Sequence, residues 1–209
     1  MPSRIENPAL FICDIQEKFR SAIWEFPKVI STATKLVKAA KILNIPIYAT
    51  TQNASRLGAT VSELTSLLSD TQNVEFDKTA FSMMVPDLTA ALTKQASSSP
   101  AETGKPHTPV SVILVGIETH ICVTQTALDL LSMGNRVYVL ADGVSSCNEG
   151  ERPVALARLA REGAVVTTSE SLLFELVGDA GSKDFKAISG LVKETKDETK
   201  RAVETFCKL

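Results

Sequence analysis

The chain has 209 residues, 44% of them hydrophobic and 22% charged, with a formal net charge of −2. That is enough for one α/β domain with a substantial core and short for two. Basic and acidic residues are intermixed without a basic block, which speaks against nucleic acid and membrane surfaces as partners, and no apolar run approaches the roughly 20 residues of a membrane span. The N-terminal residues contain no apolar signal region. The cysteines Cys13, Cys122, Cys147 and Cys207 lack C-x-x-C spacing, which argues against a zinc ribbon, a thioredoxin-type pair and a disulfide scaffold. Reduced thiols in the cytoplasm are the simplest reading.

In chain order, Ala9–Cys13 is an apolar strand with Asp14 at its carboxyl end, and Gln16–Phe19 follow in a loop or helical turn. The spacing of Val29, Ile30, Ala33, Leu36, Val37, Ala40 and Leu43 predicts a helix from Pro27 to Asn44. Ile45–Ala49 reads as the second strand, with Thr50–Asn53 leaving its end, and Val61–Leu68 as a short helix. Val74–Phe76 is a weak third strand running into Asp77 and Lys78, and Pro86–Lys94 a helix. A polar, Ser/Pro-rich insertion loop occupies about 96–109. The fourth strand lies in the run from Val112 to Ile117, and Val123, Ala127, Leu130 and Leu131 then recur with helical spacing. Arg136–Ala141 is a fifth strand ending at Asp142-Gly143, and Glu151–Arg161 a helix capped by Gly163. Ala164–Thr167 is a sixth strand, Ser169 caps a helix to Val177, and Phe185–Thr195 is helical. The charged tail of about 196–209 is expected to fray. Strands alternating with helices predict an α/β class: a three-layer α/β/α, Rossmann-like fold with a mostly parallel six-stranded sheet, forming a single domain over residues 1–209.

The stretch around Cys122 draws attention chemically. A run apolar enough to be buried on both faces gives way to a helix, with Thr119 as its expected N-cap and Cys122 in its first turn. There, unpaired backbone N–H groups and the helix dipole favour thiolate over thiol. Asp14 and Lys78 also fall at carboxyl ends of strands, and in a parallel sheet those ends share one edge, where ligands bind. A carboxylate, an ammonium and a thiol brought together would supply a base, an electrostatic partner and a nucleophile.

The pattern Asp14-x-Gln16-x-x-Phe19, Lys78 after the third strand, and Gly116-Ile117-Glu118-Thr119-His120-Ile121-Cys122-Val123 resembles three motifs of the isochorismatase-like cysteine hydrolases. The resemblance covers about Ala9 to Lys193. It is nearest to the eukaryotic isochorismatase domain-containing proteins, through Gln16–Arg20, Phe81–Met83 and the segment from Thr168 to Asp179. It implies hydrolysis of a small amide or other C–N-bonded substrate by a catalytic triad of Asp14, Lys78 and Cys122. It further implies an oxyanion hole from the backbone N–H groups of Glu118 and Cys122, a cis Ile117–Glu118 peptide, and a homo-oligomer, dimer or tetramer. Phe19, Gln52, Phe81, Ile117 and Thr119 are the candidates for the substrate pocket.

Each residue also has a plainer reading: Cys122 as a small buried hydrophobe, Asp14 as a turn residue, Lys78 beside Asp77 as a solvated pair. No Gly-rich phosphate turn follows the first strand and no G-x-S-x-G elbow occurs. Where nicotinamidases of this superfamily carry an Asp-x-His metal motif, this chain reads Thr51-Gln52-Asn53-Ala54-Ser55. The expectation is therefore no metal, no cofactor, and a substrate other than nicotinamide. Cys122 argues against vinyl-ether hydrolysis, since true isochorismatases commonly lack that cysteine. The alternatives are an isochorismatase-type ether hydrolase or a catalytically silent binding or scaffold protein. The last three residues, Cys207-Lys208-Leu209, resemble a peroxisomal Ser-Lys-Leu signal with Cys for Ser, which sets the peroxisome beside the cytoplasm as a location.

Overall fold

Six strands lie side by side in the order β3-β2-β1-β4-β5-β6, and every pairing is parallel. They are β1 (Pro8–Cys13), β2 (Ile47–Gln52), β3 (Asn73–Lys78), β4 (Ser111–Ile117), β5 (Arg136–Ser145) and β6 (Val165–Thr167). The structure is a computed structural model and describes residues 5–69, 73–98 and 109–207. The helices are α1 (Phe26–Ile42), α2 (Ala54–Leu57), α3 (Ser62–Leu68), α4 (Pro86–Ser98), α5 (Thr124–Ser132), α6 (Glu151–Glu162), α7 (Ser169–Val177), α8 (Phe185–Glu194) and α9 (Lys196–Phe206).

Alternation along the central strands divides the core in two. Leu10 and Ile12 of β1 with Ile113, Val115 and Ile117 of β4 pack under α1, α7, α8 and α9. Phe11 and Cys13 with Val112 and Leu114 face the opposite way, against residues of α4, α5 and α6. Because both sheet faces are covered, these strands are apolar throughout. This is the expected three-layer α/β/α sheet, with all of its pairings parallel.

Several boundaries differ from the sequence reading for identifiable reasons. β2 begins at Ile47, past Pro46, and runs on through Thr50 and Thr51 to Gln52, because Thr50 pairs with Cys13 on one side and Phe76 on the other. β5 does not stop at Asp142-Gly143 but continues to Ser145, its register against β4 shifting between Leu114 and Gly116. That irregularity absorbs the two turn-like residues. Helix α4 extends to Ser98, with Ser97 Oγ donating to Thr93 O at 2.9 Å, so the first residues assigned to the insertion loop are helical. Residues 99–108 of the loop, His107 included, lie outside the described residues, as do Lys208 and Leu209.

The charged tail is helical over its described residues up to Phe206. It forms α9, whose Thr199, Ala202 and Phe206 recur at helical spacing and are buried. Lys35 of α1, itself buried, donates from Nζ to Ser169 Oγ at 2.6 Å and to Thr199 Oγ1 at 2.7 Å. Ser169 does not cap α7 but is its first residue, and both its N–H and its hydroxyl donate to the Asp142 carboxylate. Arg152 donates to Val144 O at 2.9 Å and to Phe206 O at 3.2 Å, with its guanidinium 4.4 Å from the Phe206 ring centre. Buried polar groups of the core thus hold the last helix in place, a long-range pairing that charge composition does not reveal.

Candidate active site

The strand order reverses between β1 and β4: β2 and β3 lie on one side of β1, and β5 and β6 on the far side of β4. Open α/β sheets bind ligands in the crevice beyond the carboxyl ends of the strands at such a switch point. Asp14 leaves β1 there, and the segment carrying Cys122 leaves β4. The two strands approach closely. Gly116 has φ +119°, and a Cβ on it would meet the Cys13 carbonyl oxygen at 2.1 Å, so no other residue fits.

Asp14 is 1% exposed and has φ +52°, a left-handed conformation that Asp tolerates better than most residues. Its N–H donates to Thr50 O at 3.1 Å, while Thr50 Oγ1 donates to Asp14 Oδ1 at 2.7 Å. Lys78, the last residue of β3, reaches across β2 and donates from Nζ to Asp14 Oδ2 at 2.7 Å. The same ammonium donates to Gln52 Oε1 at 2.7 Å and to the carbonyls of Ala80 and Phe81 at 3.1 Å. Both charged side chains are almost wholly out of water, and the ammonium is fully surrounded by oxygen acceptors, the condition under which a buried ion pair is tolerated. Lys78 is therefore not a solvated surface residue.

Cys122 lies in a π-helical turn, Thr119–Val123, that precedes α5, rather than in the first turn of the α-helix itself. Such turns occur frequently at functional sites. Thr119 is not an N-cap: Glu118 precedes the turn, no side chain caps it, and the fully buried Thr119 hydroxyl has no hydrogen-bond partner. The turn is pinned by Thr124 Oγ1, which donates to Thr119 O, and by Thr126 Oγ1, which donates to Cys122 O, both at 2.6 Å. Thr126 in turn accepts the Met83 N–H at 2.9 Å, which ties the turn to the loop after β3. The Ile117–Glu118 peptide is cis.

A cavity of about 170 Å³ opens over these groups, lined by Asp14, Phe19, Gln52, Leu57, Phe81, Ile117, Glu118, Ile121 and Cys122. Asp14 and Cys122 share this wall, and Lys78 stands behind it against Asp14. Of the pocket candidates, Phe19, Gln52, Phe81 and Ile117 line the cavity, whereas Thr119 does not. Cys13 lies beneath. Its thiol is 3.7 Å from Asp14 Oδ2 and against the Cys122 side chain; burial first, and then the neighbouring Cys122 and Asp14, push it well up, so it stays protonated. Cys122 is 7% exposed at the cavity wall and Cys13 is not exposed at all.

A model of the isochorismatase domain matches residues 8–171. The chain belongs to the isochorismatase family. It is 47% identical over 189 residues to the secreted isochorismatase effector Isc1 of Phytophthora sojae, a match covering 90% of this chain and 85% of that one. To isochorismatase domain-containing protein 2 of Homo sapiens it is 42% identical over 189 residues, covering 90% and 84%. Among solved structures, the MAR1 ribonuclease of Caenorhabditis elegans superposes with a TM-score of 0.81 at 40% identity, covering 92% of this chain and 93% of that one.

Within this isochorismatase domain, the sequence does not single out Leu57 of the wall or the hydrogen-bonding residues Thr50 and Thr126, and it gives Ile121 only as part of the motif around Cys122. Leu57 and Ile121 look like ordinary core residues in the sequence. The two threonines act through partners 36 residues and 43 residues away, a relation that spacing cannot show. Gln16 was noted only as part of a motif. It is fully buried, donates to Gln52 O and Gly58 O, and accepts the Gln52 N–H at 2.7 Å, so it sets Gln52 beside Lys78.

Proposed function

We propose that this isochorismatase-family hydrolase, acting as a single domain, cleaves a small amide or other C–N-bonded substrate through a cysteine acyl-enzyme. The observation that carries the reading is the buried Asp14–Lys78 ion pair, 2.7 Å long, beside a cavity whose wall holds Asp14 and Cys122 together. In the proposed cycle Asp14 takes the Cys122 proton, and the sulfur attacks the substrate carbonyl carbon. The N–H groups of Glu118 and Cys122 hold the resulting oxyanion. Collapse breaks the C–N bond, and the amine departs with the proton from Asp14. Water activated by Asp14 then hydrolyses the thioester and restores the thiol. Lys78 holds the Asp14 carboxylate in place through their 2.7 Å contact, and its positive charge attracts the thiolate when that forms.

The cavity's apolar walls (Phe19, Leu57, Phe81, Ile117, Ile121) and small volume favour a compact substrate with one hydrolysable polar group. Its ionisable lining is Asp14, Glu118 and Cys122, a set that repels phosphate, so a nucleic acid substrate is disfavoured for this chain. A silent scaffold gains nothing from a desolvated ion pair, which hydrophobic residues of similar volume would replace at no loss of stability. Homo-oligomerisation, as a dimer or tetramer, is part of the proposal and rests on family membership. No helix of the described residues is long and apolar enough to cross a membrane.

The test is a panel of amides, ureas and carbamoylated amino acids offered to protein treated exhaustively with EDTA. We expect turnover of at least one compound, unchanged by the chelator, because the Thr51-Gln52-Asn53 segment presents no metal-binding Asp-x-His motif. Activity that disappears with EDTA and returns with zinc would contradict the metal-free mechanism. Lack of turnover across the panel together with an inert Cys122 would favour the scaffold.

A further inference from the structure

The register of β4 against β5 brings a second set of chemically versatile side chains together. Ile117 pairs with Ser145, so the residues that follow each strand, Glu118 to His120 and Ser146 to Cys147, emerge next to one another. Glu118 Oε2 accepts the Cys147 N–H at 2.8 Å and lies 3.8 Å from His120 Nδ1. His120 Nδ1 is also 2.9 Å from Ser146 Oγ. One donor atom each from Glu118, His120 and Cys147 fall within 4.8 Å of one another. The catalytic reading uses none of the three side chains; from this group it takes only the Glu118 backbone.

We propose that Glu118, His120 and Cys147 form a binding site for a borderline-soft divalent cation of the zinc class, at the rim of the cavity that holds Asp14 and Cys122. A thiolate, an imidazole and a carboxylate are the donors such ions select, whereas calcium and magnesium prefer sets made of oxygen alone. Three protein ligands leave a fourth tetrahedral position open. Zinc bonds sulfur at about 2.3 Å and nitrogen at about 2.0–2.1 Å, so the three side chains need to close by only about 1 Å around the ion. Cys147 is exposed and the other two are partly exposed, so a hydrated ion can reach them. The ends of two adjacent parallel strands fix the backbone on both sides. The segment before Cys147 is anchored as well, since Trp24 N donates to Ser146 O at 3.0 Å and Ser145 Oγ donates to Trp24 O.

Binding replaces the thiol proton of Cys147 with the metal and releases that proton to water. Glu118 lines the cavity, so a bound divalent ion, offset by the Glu118 carboxylate and the Cys147 thiolate, would neutralise the negative charge of this group at the rim. The site is independent of the acyl-enzyme reading, which uses no metal.

The experiment is an anaerobic titration of the reduced, metal-free protein with Co²⁺, followed by absorption. We expect one ion per chain, a thiolate-to-cobalt charge-transfer band, the intense visible bands of tetrahedral cobalt, and displacement by Zn²⁺. Replacing an outer partner of a metal ligand costs 10–100-fold in affinity, so Cys147→Ser and His120→Ala should each weaken binding by at least about a hundredfold, and Cys147→Ser should also remove the charge-transfer band. Cys147→Ser changes an exposed side chain and should leave the circular dichroism spectrum unaltered. Failure to bind cobalt would overturn the proposal. So would a charge-transfer band that survives Cys147→Ser but vanishes in Cys122→Ser, which would put the ion at the cavity thiol. Because the readout is metal binding and not turnover, its failure leaves the hydrolase reading untouched.

Discussion

Cys122→Ser should reduce turnover by about four orders of magnitude or more while the protein stays folded. Removing the nucleophile of a coupled catalytic set eliminates most of the rate enhancement, and a serine hydroxyl beside a base matched to a thiol is a far poorer nucleophile. The structural cost is small. Sulfur and oxygen differ modestly in size, and the new hydroxyl faces a cavity wall beside Asp14 rather than dense core. A loss of about 1 kcal/mol would lower the melting temperature by about 2–4 °C in a protein of this length. Paired measurements of kcat/KM and Tm check this. Activity retained at an unchanged Tm would mean that the nucleophile lies elsewhere.

The second large effect separates the roles of Asp14 and Lys78, which loss of activity alone does not. Asp14→Asn and Lys78→Met should both abolish turnover yet change the alkylation rate of Cys122 in opposite directions. With Asp14 neutral, the Lys78 cation faces Cys122 unopposed, thiolate is favoured, and alkylation at mildly acidic pH should match or exceed that of the native protein. Nothing then protonates the leaving amine, so no product forms. With Lys78 removed, Asp14 is an unpaired anion beside the thiol, and alkylation should slow. Breaking a buried pair costs about 3–5 kcal/mol, so rates must be compared well below each variant's Tm. Rates that move in the same direction in both variants would show that these residues do not surround Cys122 electrostatically.

The positions of Asp14, Lys78 and Cys122 were legible because a parallel sheet delivers the ends of all its strands to one edge, and each of these residues follows an apolar run. What the sequence concealed is mostly contact through space. Thr119 looked like a helix cap because it precedes a helical pattern; a π-helical turn intervenes, so Thr119 is a buried residue of that turn and Cys122 lies ahead of α5. Asp142-Gly143 looked like a strand end, yet it lies within β5 at a register shift that only the neighbouring strand reveals. The last helix looked like a solvated tail because charged residues dominate its composition, and its three buried residues, Thr199, Ala202 and Phe206, cover one narrow face. The Glu118, His120 and Cys147 group escaped notice because nothing between residues 118 and 147 marks their approach; the pairing of β4 with β5 creates it.

The measurement that bears most directly on the central claim is the order in which the cysteines react. Reduced protein held in EDTA at neutral pH is treated with limiting iodoacetamide, and the labelled peptides are mapped by mass. Accessibility alone puts Cys147 first, since it is the exposed thiol, with Cys207 next and the two buried thiols last. Chemistry gives a different order. The thiol of Cys147 is pushed up chiefly by its hydrogen bond to Glu118, those of Cys13 and Cys207 chiefly by burial, so all three are held as slow-reacting thiols. The account predicts one label per chain, on Cys122, through the cavity it shares with Asp14. Label accumulating first on Cys147 while Cys122 remains unmodified would contradict it.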